Sequence, residues 1–273
     1  MGSALISGAS SGIGRATALR LAAHGWTVFA GVRDDAAARE LARAGAHPVH
    51  LDITDPDSVR AAADHVRAAT RGAGLDALVN NAGIALLRPV EGLTPDAVRE
   101  QLEVNVVGHV SVTNALLPLL RTAGGRVLFV SSVSGRVATP FFGVYSASKF
   151  AIEALADTLR IEVRGTGVDV VLVEPGQVHT PIWPKAEDDL ARAGLPEATA
   201  EHYRRALPIL RLISRRPLKT RPERVARTIE RALTARRPRA RYVVGPDARA
   251  QIALARLLPA RAMDAVTRLA LRL

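Results

Sequence analysis

The first fourteen residues restrict the fold of this chain more than any other segment. An apolar run, Ala4-Leu5-Ile6, passes directly into Ser7-Gly8-Ala9-Ser10-Ser11-Gly12-Ile13-Gly14, and a helical pattern follows over residues 14–24. That helix carries Ala16, Leu19, Leu21 and Ala22, and Gly25 stops it. A strand that turns through glycines into a helix aims the N–H groups of the first helical turn at one point. Gly8 permits the tight turn, Gly12 lets the backbone approach a pyrophosphate, and Gly14 lets helix and strand pack closely. The helix N-terminus then stabilises the phosphate charge.

The alternation continues to about residue 180. Residues 27–31, 49–51, 77–79, 126–130 and 168–173 are short, apolar and mostly β-branched. Such runs suit strands buried on both faces of a parallel sheet. Helical patterns lie between them. Residues 56–70 follow Asp55 as N-cap with Pro56 at the first position, and residues 95–106 follow Thr94 and Pro95 in the same way. A long helix over 145–164 ends near Gly165, another spans 222–235, and residues 242–244 suit a seventh strand. Repeated units of this kind need right-handed crossovers and predict a doubly wound, Rossmann-type α/β fold. With 273 residues, 48% of them hydrophobic, and no linker or repeat, one domain over 1–273 is expected. The absence of cysteine excludes thiol catalysis, thiolate metal sites and disulfides, and fits a reducing cytosol. No metal site is expected. No signal peptide is expected from the start of this sequence, and no window approaches 18 uninterrupted apolar residues, so no spanning helix is expected.

The end of the second strand bears on the cofactor. An NAD site calls for a carboxylate there, on the ribose 2′-hydroxyl. This strand ends Gly31-Val32-Arg33, with Val32 where the acid is expected. A guanidinium at Arg33 suits a 2′-phosphate, so NADP(H) is favoured. Asp34 and Asp35 follow directly and can approach the ribose, which keeps NAD(H) open.

Tyr145-Ser146-Ala147-Ser148-Lys149 opens the long helix. Residues four apart share a helix face, so phenol and ammonium can point into one site. An ammonium beside a phenol favours the phenolate and lowers a pKa that is otherwise about 10. Ser132 follows the strand over 126–130, where a hydroxyl can meet a carbonyl.

Taken together, these motifs resemble the short-chain dehydrogenase/reductase family in its single-domain form, over residues 3–180. The resemblance includes the Gly8/Gly12/Gly14 loop, Asp52, Asn80-Asn81-Ala82-Gly83, Asn105, Ser132, Tyr145, Lys149 and the turn Pro175-Gly176-Gln177-Val178-His179-Thr180. Ser7 stands where the family usually has threonine. The resemblance implies that Tyr145 is the general acid in reduction and the base in oxidation. Lys149 lowers its pKa and holds the nicotinamide ribose, Ser132 polarises the substrate oxygen, and Asn105 supports a water leading from Lys149. Asp52 and Ile53 meet the adenine. Asn81, Ala82 and Gly83 line the cofactor, and Pro175, Gly176, Val178 and Thr180 close on its carboxamide end. It also implies a homo-oligomer through the helices beginning at Pro95 and Tyr145. Residues 145–150 and the long insertion resemble the subgroup with 17β-hydroxysteroid and retinol dehydrogenases, which implies a lipophilic steroid-, retinoid- or lipid-like alcohol or ketone.

Residues 177–222 interrupt the alternation with Pro181, Pro184, Pro196, Pro208, Pro217 and Pro222. An insertion there sits at the carboxyl ends of the strands and reads as a substrate-covering segment. Phe141, Phe142, Trp183, Leu207, Ile209, Leu210 and Ile213 are candidates for an apolar pocket. The net charge of +11 is uneven. Residues 1–200 carry 18 Lys and Arg against 21 Asp and Glu, a net −3, whereas residues 201–273 carry 19 against 5, a net +14. Within the basic extension over 246–273, Arg261, Asp264, Arg268 and Arg272 form one stripe. Met263, Val266, Ala270 and Leu273 form another. Such an amphipathic helix packs on its own domain or a subunit, or lies on an anionic membrane. Sparse aromatic residues argue against nucleic acid. A sugar-nucleotide epimerase and a non-catalytic NADP sensor are the alternatives. The glycine spacing opposes the first, and the complete Asn105, Ser132, Tyr145, Lys149 set opposes the second.

Overall fold

A computed structural model describes residues 2–214 and 220–273, with side chains described outside 211–214. The side chain of Ile213 and all of Pro217 therefore lie outside the described residues. Seven strands form one sheet: β1 (Ser3–Ile6), β2 (Thr27–Val32), β3 (His47–His50), β4 (Ala77–Asn80), β5 (Arg126–Val130), β6 (Asp169–Pro175) and β7 (Arg241–Val244). Their order is β3-β2-β1-β4-β5-β6-β7, and each neighbouring pair is parallel. Ala4 pairs with Val28 on one side of β1 and with Ala77 on the other. The order reverses between β1 and β4, and a crevice opens there at the carboxyl ends.

Alternate residues of each strand feed opposite faces. Leu5, Leu78 and Leu172 join Leu116, Leu120 and Ile152 on one side. These last three come from α5 (Gly108–Ala123) and α6 (Gly143–Glu162), which flank the sheet together with α3 (Pro56–Ala69). Ala4, Ile6 and Val79 join Leu21 of α1 (Gly12–Ala23) and Val225 and Ile229 of α10 (Pro222–Thr234) on the other side. Ile152 is fully buried, and truncating such a side chain to alanine costs about 2–5 kcal/mol.

Side chains cap three of the helices that flank the sheet. Asp34 accepts from Ala37 N at α2 (Asp35–Arg43), Asp55 from Asp57 N at α3, and Thr94 from Ala97 N at α4 (Pro95–Leu102). The helix expected over 95–106 differs in one respect. After α4 the chain widens into a π-turn, Glu103–Val107, before α5. The turn carries Asn105 into the interior, where it is fully buried. Such bulges recur at functional sites.

Residues 177–222 contain α7 (Ile182–Ala193), α8 (Glu197–His202) and α9 (Ala206–Ser214). The basic extension is two helices, α11 (Pro246–Leu257) and α12 (Ala260–Leu271). Ala248 and Ile252 of α11 are buried against Val133 and Val243. The stripe expected on α12 is turned: Met263 and Leu271 face inward, whereas Val266 is 46% and Leu269 82% exposed.

Candidate active site

A cleft of about 590 Å³ lies where β1, β2, β4, β5 and β6 end. It is lined by Gly8, Ser10, Ser11, Gly12 and Ile13 of the first loop, then Val32, Arg33, Asp52 and Ile53. Asn81, Ala82, Gly83, Ser132, Tyr145, Lys149, Pro175, Gly176, Val178 and Thr180 complete the part the sequence anticipates. Gly14 and Asn105 stand behind this lining. A Cβ on Gly14 would meet Gly8 O at 2.3 Å and Asn81 Nδ2 at 2.5 Å, so only glycine lets α1 approach the strands here.

Ser7 keeps the role of the hydroxyl it replaces. Its Oγ accepts from Asn81 N at 2.9 Å and Ala82 N at 3.0 Å, while Asn81 Nδ2 donates to Ser7 O and Gly8 O. These bonds fix the first loop to the loop after β4. Gly8 and Gly12 take φ of +65° and +54°, a region L side chains rarely enter. Unlike α2, α3 and α4, α1 has no side-chain cap at Ser11 and no acidic residue in its first turn. Its free N–H groups open onto the cleft, as a pyrophosphate requires. The glycine cradle and these uncapped donors fit a dinucleotide.

At the adenosine end, Asp52 Oδ1 accepts from Thr54 N and Thr54 Oγ1, and Oδ2 accepts from Arg33 Nη1 at 3.1 Å. Burial raises the Asp52 pKa, but Thr54 and Arg33 outweigh it and hold the carboxyl below its ordinary value. Asp34 uses Oδ1 to cap α2, and Asp35 begins that helix.

At the other end, Tyr145 and Lys149 project from the first turns of α6 and are 5% and 4% exposed. Burial pushes the Tyr145 phenol up to about 12, against a hydrogen bond with Ser132 that pulls it down. The net direction is upward, opposite to the lowering expected from Lys149. The ammonium lies 5.7 Å from the ring centroid, against the face of the ring. Burial lowers Lys149 to about 8, partly opposed by the charge of Glu153. Its Nζ donates to Val130 O at 2.9 Å, which ties it to the end of β5. Asn105 donates from Nδ2 to Ile84 O and Ser148 Oγ and accepts at Oδ1 from Ile84 N. Asn105 therefore fixes the loop after β4 and the second turn of α6.

Beyond Tyr145 the wall is apolar: Leu86, Ile182, Trp183 and Ala186, with Lys185 and Asp189 at its edge. Trp183 stands edge-on to Tyr145 at 6.0 Å and to Phe142 at 5.6 Å. The pocket expected from Phe141, Leu207 and Leu210 is instead a packed cluster outside the cleft lining, with Ala206 and Tyr203. It fastens α9 to the loop before α6. Ile209 also lies outside the lining. Sequence reading missed the Arg88–Asp189 ion pair, 2.7 Å, which joins α7 to the loop after β4. It also missed His109, fully buried one turn after Asn105. No local pattern marks either.

Comparisons with known proteins bear on the family and the fold. A family model described as short chain dehydrogenase matches residues 3–191. Human retinol dehydrogenase 5 is 42% identical over 278 residues, covering 96% of this chain and 86% of that protein. An NADPH-dependent 3-dehydrocapnine reductase from Ornithobacterium rhinotracheale is 35% identical, covering 96% of this chain and 95% of the other. Among solved structures, a short-chain dehydrogenase from Streptomyces avermitilis superposes with a TM-score of 0.79 at 32% identity, covering 97% of this chain and 93% of that one.

Proposed function

This chain belongs to the short-chain dehydrogenase/reductase family of oxidoreductases, and from that membership we propose an NADP(H)-dependent enzyme that interconverts a carbonyl and a secondary alcohol on an apolar small molecule. The carrying observation is the convergence of Ser132, Tyr145 and Lys149 on the lining of one cleft, at its apolar end. The nicotinamide, when bound, supplies or accepts the hydride. In reduction, Ser132 and Tyr145 donate hydrogen bonds to the substrate oxygen, and the Tyr145 proton passes to it as negative charge develops. Lys149 stabilises the phenolate left behind. In oxidation the same proton returns.

NADP(H) is favoured by Val32 and Arg33 at the end of β2, and a relative named for NADPH dependence supports it. An apolar substrate is favoured by Leu86, Ile182, Trp183 and Ala186, and by the retinol-named relative. We read residues 177–222 as covering that substrate. A homo-oligomer through α4–α6 is supported by exposed Val107 of the π-turn and Phe150, Leu155 and Ile161 of α6. No helix among the described residues is long and apolar enough to cross a membrane. A cytoplasmic enzyme whose α12 touches an anionic membrane surface is the location we propose, on the exposed Val266 and Leu269 beside Arg261, Arg268 and Arg272. The test of function is NADPH consumption over a panel of apolar aldehydes and ketones. Turnover is expected, and its absence with every member, alongside intact NADPH binding, contradicts the proposal.

A further inference from the structure

One charged cluster is left unexplained by hydride and proton transfer as described above. Tyr145, Lys149 and Glu153 recur every four residues on α6, so their side chains stack along one face of the helix. All three are buried, Glu153 to 6% exposure. A lone carboxylate at such depth is costly, so a partner is needed. Arg241, the first residue of β7, supplies it: Nε lies 3.0 Å from Glu153 Oε2 and 3.1 Å from Glu174 Oε1 of β6. Arg241 Nη2 also reaches Asp157 at 2.5 Å, and Arg136 Nη1 meets Glu174 at 3.2 Å. Residues of three adjacent elements, α6, β6 and β7, thus hold one carboxylate a single helical turn below the catalytic lysine.

We propose that Glu153 is a positioning residue for the proton chemistry of this site: its fixed, buried carboxylate is the countercharge that keeps Lys149 an ammonium, and Arg241 holds it there. The proposal deepens the oxidoreductase reading and rests on it for its consequence in catalysis. Lys149 has few other charges facing it. From α5 comes His109, which burial holds near a pKa of about 3 and so keeps neutral in the working range. From α6 come the Tyr145 phenol and, two turns on, Asp157, which is bound to Arg241 and Arg160. From β6 comes Glu174, bound to Arg136 and Arg241. From β5 only the Val130 carbonyl reaches the ammonium. Glu153 is therefore the nearest negative charge along the helix, and its charge is the one that raises Lys149 against the cost of burial. Burial raises the Glu153 carboxyl and the Glu174 charge adds to this, while Ser131 and Arg241 work against it. Arg241 therefore favours the charged form of Glu153, the form that can act as a countercharge.

The sequence makes a direct test practical, because Lys149, Lys185 and Lys219 are its only lysines. Lysine labelled with 13C at Cε gives three signals, and Lys149→Arg assigns the one of interest. In Glu153→Gln the Lys149 midpoint is expected to fall by about one pH unit, the size one nearby charge produces in a buried site. In Glu153→Asp, which keeps the charge, it is expected to remain near the wild-type value. A midpoint unchanged in Glu153→Gln overturns the proposal. So does an equal fall in both variants, which marks a packing effect. Should Glu153→Gln fail to fold, the wild-type titration decides: protonation of Glu153 must add a second, lower-pH inflection to the Lys149 signal, and a single inflection overturns the proposal. No substrate enters these measurements. Failure of the oxidoreductase reading, seen as absent NADPH turnover, is therefore distinguishable from failure of this one.

Discussion

The guanidinium of Arg33 lies 3.1 Å from Asp52 Oδ2 across the adenosine end of the cleft, joining the ends of β2 and β3. The pair presents a cation directly after Val32, which stands where an NAD site needs an acid. Arg33 is 69% exposed, so the bond to Asp52 adds little stability, and the guanidinium is free to turn to a phosphate. Arg33→Asp is expected to weaken NADPH binding roughly 10- to 100-fold, the worth of one or two charge-assisted bonds, while sparing NADH. Titration of both cofactors by fluorescence checks this. Equal weakening of the two contradicts the assignment.

Trp183 connects the covering segment to the catalytic residue. Its ring stands edge-on to Tyr145, and its Nε1 donates to Val178 O at 3.2 Å. Trp183→Ala is expected to raise KM for apolar ketones about tenfold or more and to leave the Kd of NADPH unchanged, since apolar wall area is lost and no cofactor contact is. A loss of NADPH affinity without a change in KM would reverse this account of the apolar end.

His109 makes stability depend on pH. Burial is the main cause that holds it at about 3, below the ordinary 6.5, and the Lys149 charge adds to this. Its Nε2 bonds to Ala82 O at 2.7 Å. Between those pH values the unfolded chain binds a proton that the folded chain does not. The stability from neutral His109 is therefore complete above 6.5 and lost as pH falls, at roughly 1.4 kcal/mol per pH unit. His109→Gln keeps a donor for Ala82 and does not titrate. Urea unfolding at pH 7, 6 and 5 should show the variant gaining on the wild type by about that slope below 6.5. A constant difference across the three pH values argues that His109 does not titrate with unfolding.

Much of this was legible because its signals are local. The strands announce themselves as β-branched runs, and Tyr145 and Lys149 are one helical turn apart. β3 begins two residues earlier than its apolar run, at His47-Pro48, because an edge strand tolerates proline and polar side chains. α2 buries only Leu41 fully, with Ala37 and Ala38 packed beside it, so its apolar stripe is made mostly of small side chains. The π-turn around Asn105 is a change of hydrogen-bond register, which no residue type specifies. Arg241, Glu153 and Glu174 meet only because β7 joins the sheet beside β6. The pocket assigned to Phe141 and Leu210 failed because apolar residues near a site serve packing as readily as binding.

The structure narrows how α12 should be tested. Removing residues 246–273 would strip Ala248 and Ile252 from the core and Asp247 from its bond to Gln177 N. Substituting the exposed Val266 and Leu269 of α12 with serine leaves that packing intact. Flotation with phosphatidylglycerol vesicles should show the wild type bound and the double variant mostly free, with weak binding to phosphatidylcholine by either. Binding that is equal in the two proteins, or independent of vesicle charge, rules out α12 as the contact.

The central claim is that Tyr145 moves the proton in a reaction whose hydride comes from NADPH. Steady-state reduction of the best carbonyl substrate, compared between wild type and Tyr145→Phe, tests it most directly. The variant keeps the ring against Trp183 and loses only the hydroxyl. It is predicted to lose roughly 10²- to 10⁴-fold in kcat while binding NADPH within about twofold of the wild type. A variant that retains kcat near the wild-type value contradicts the account.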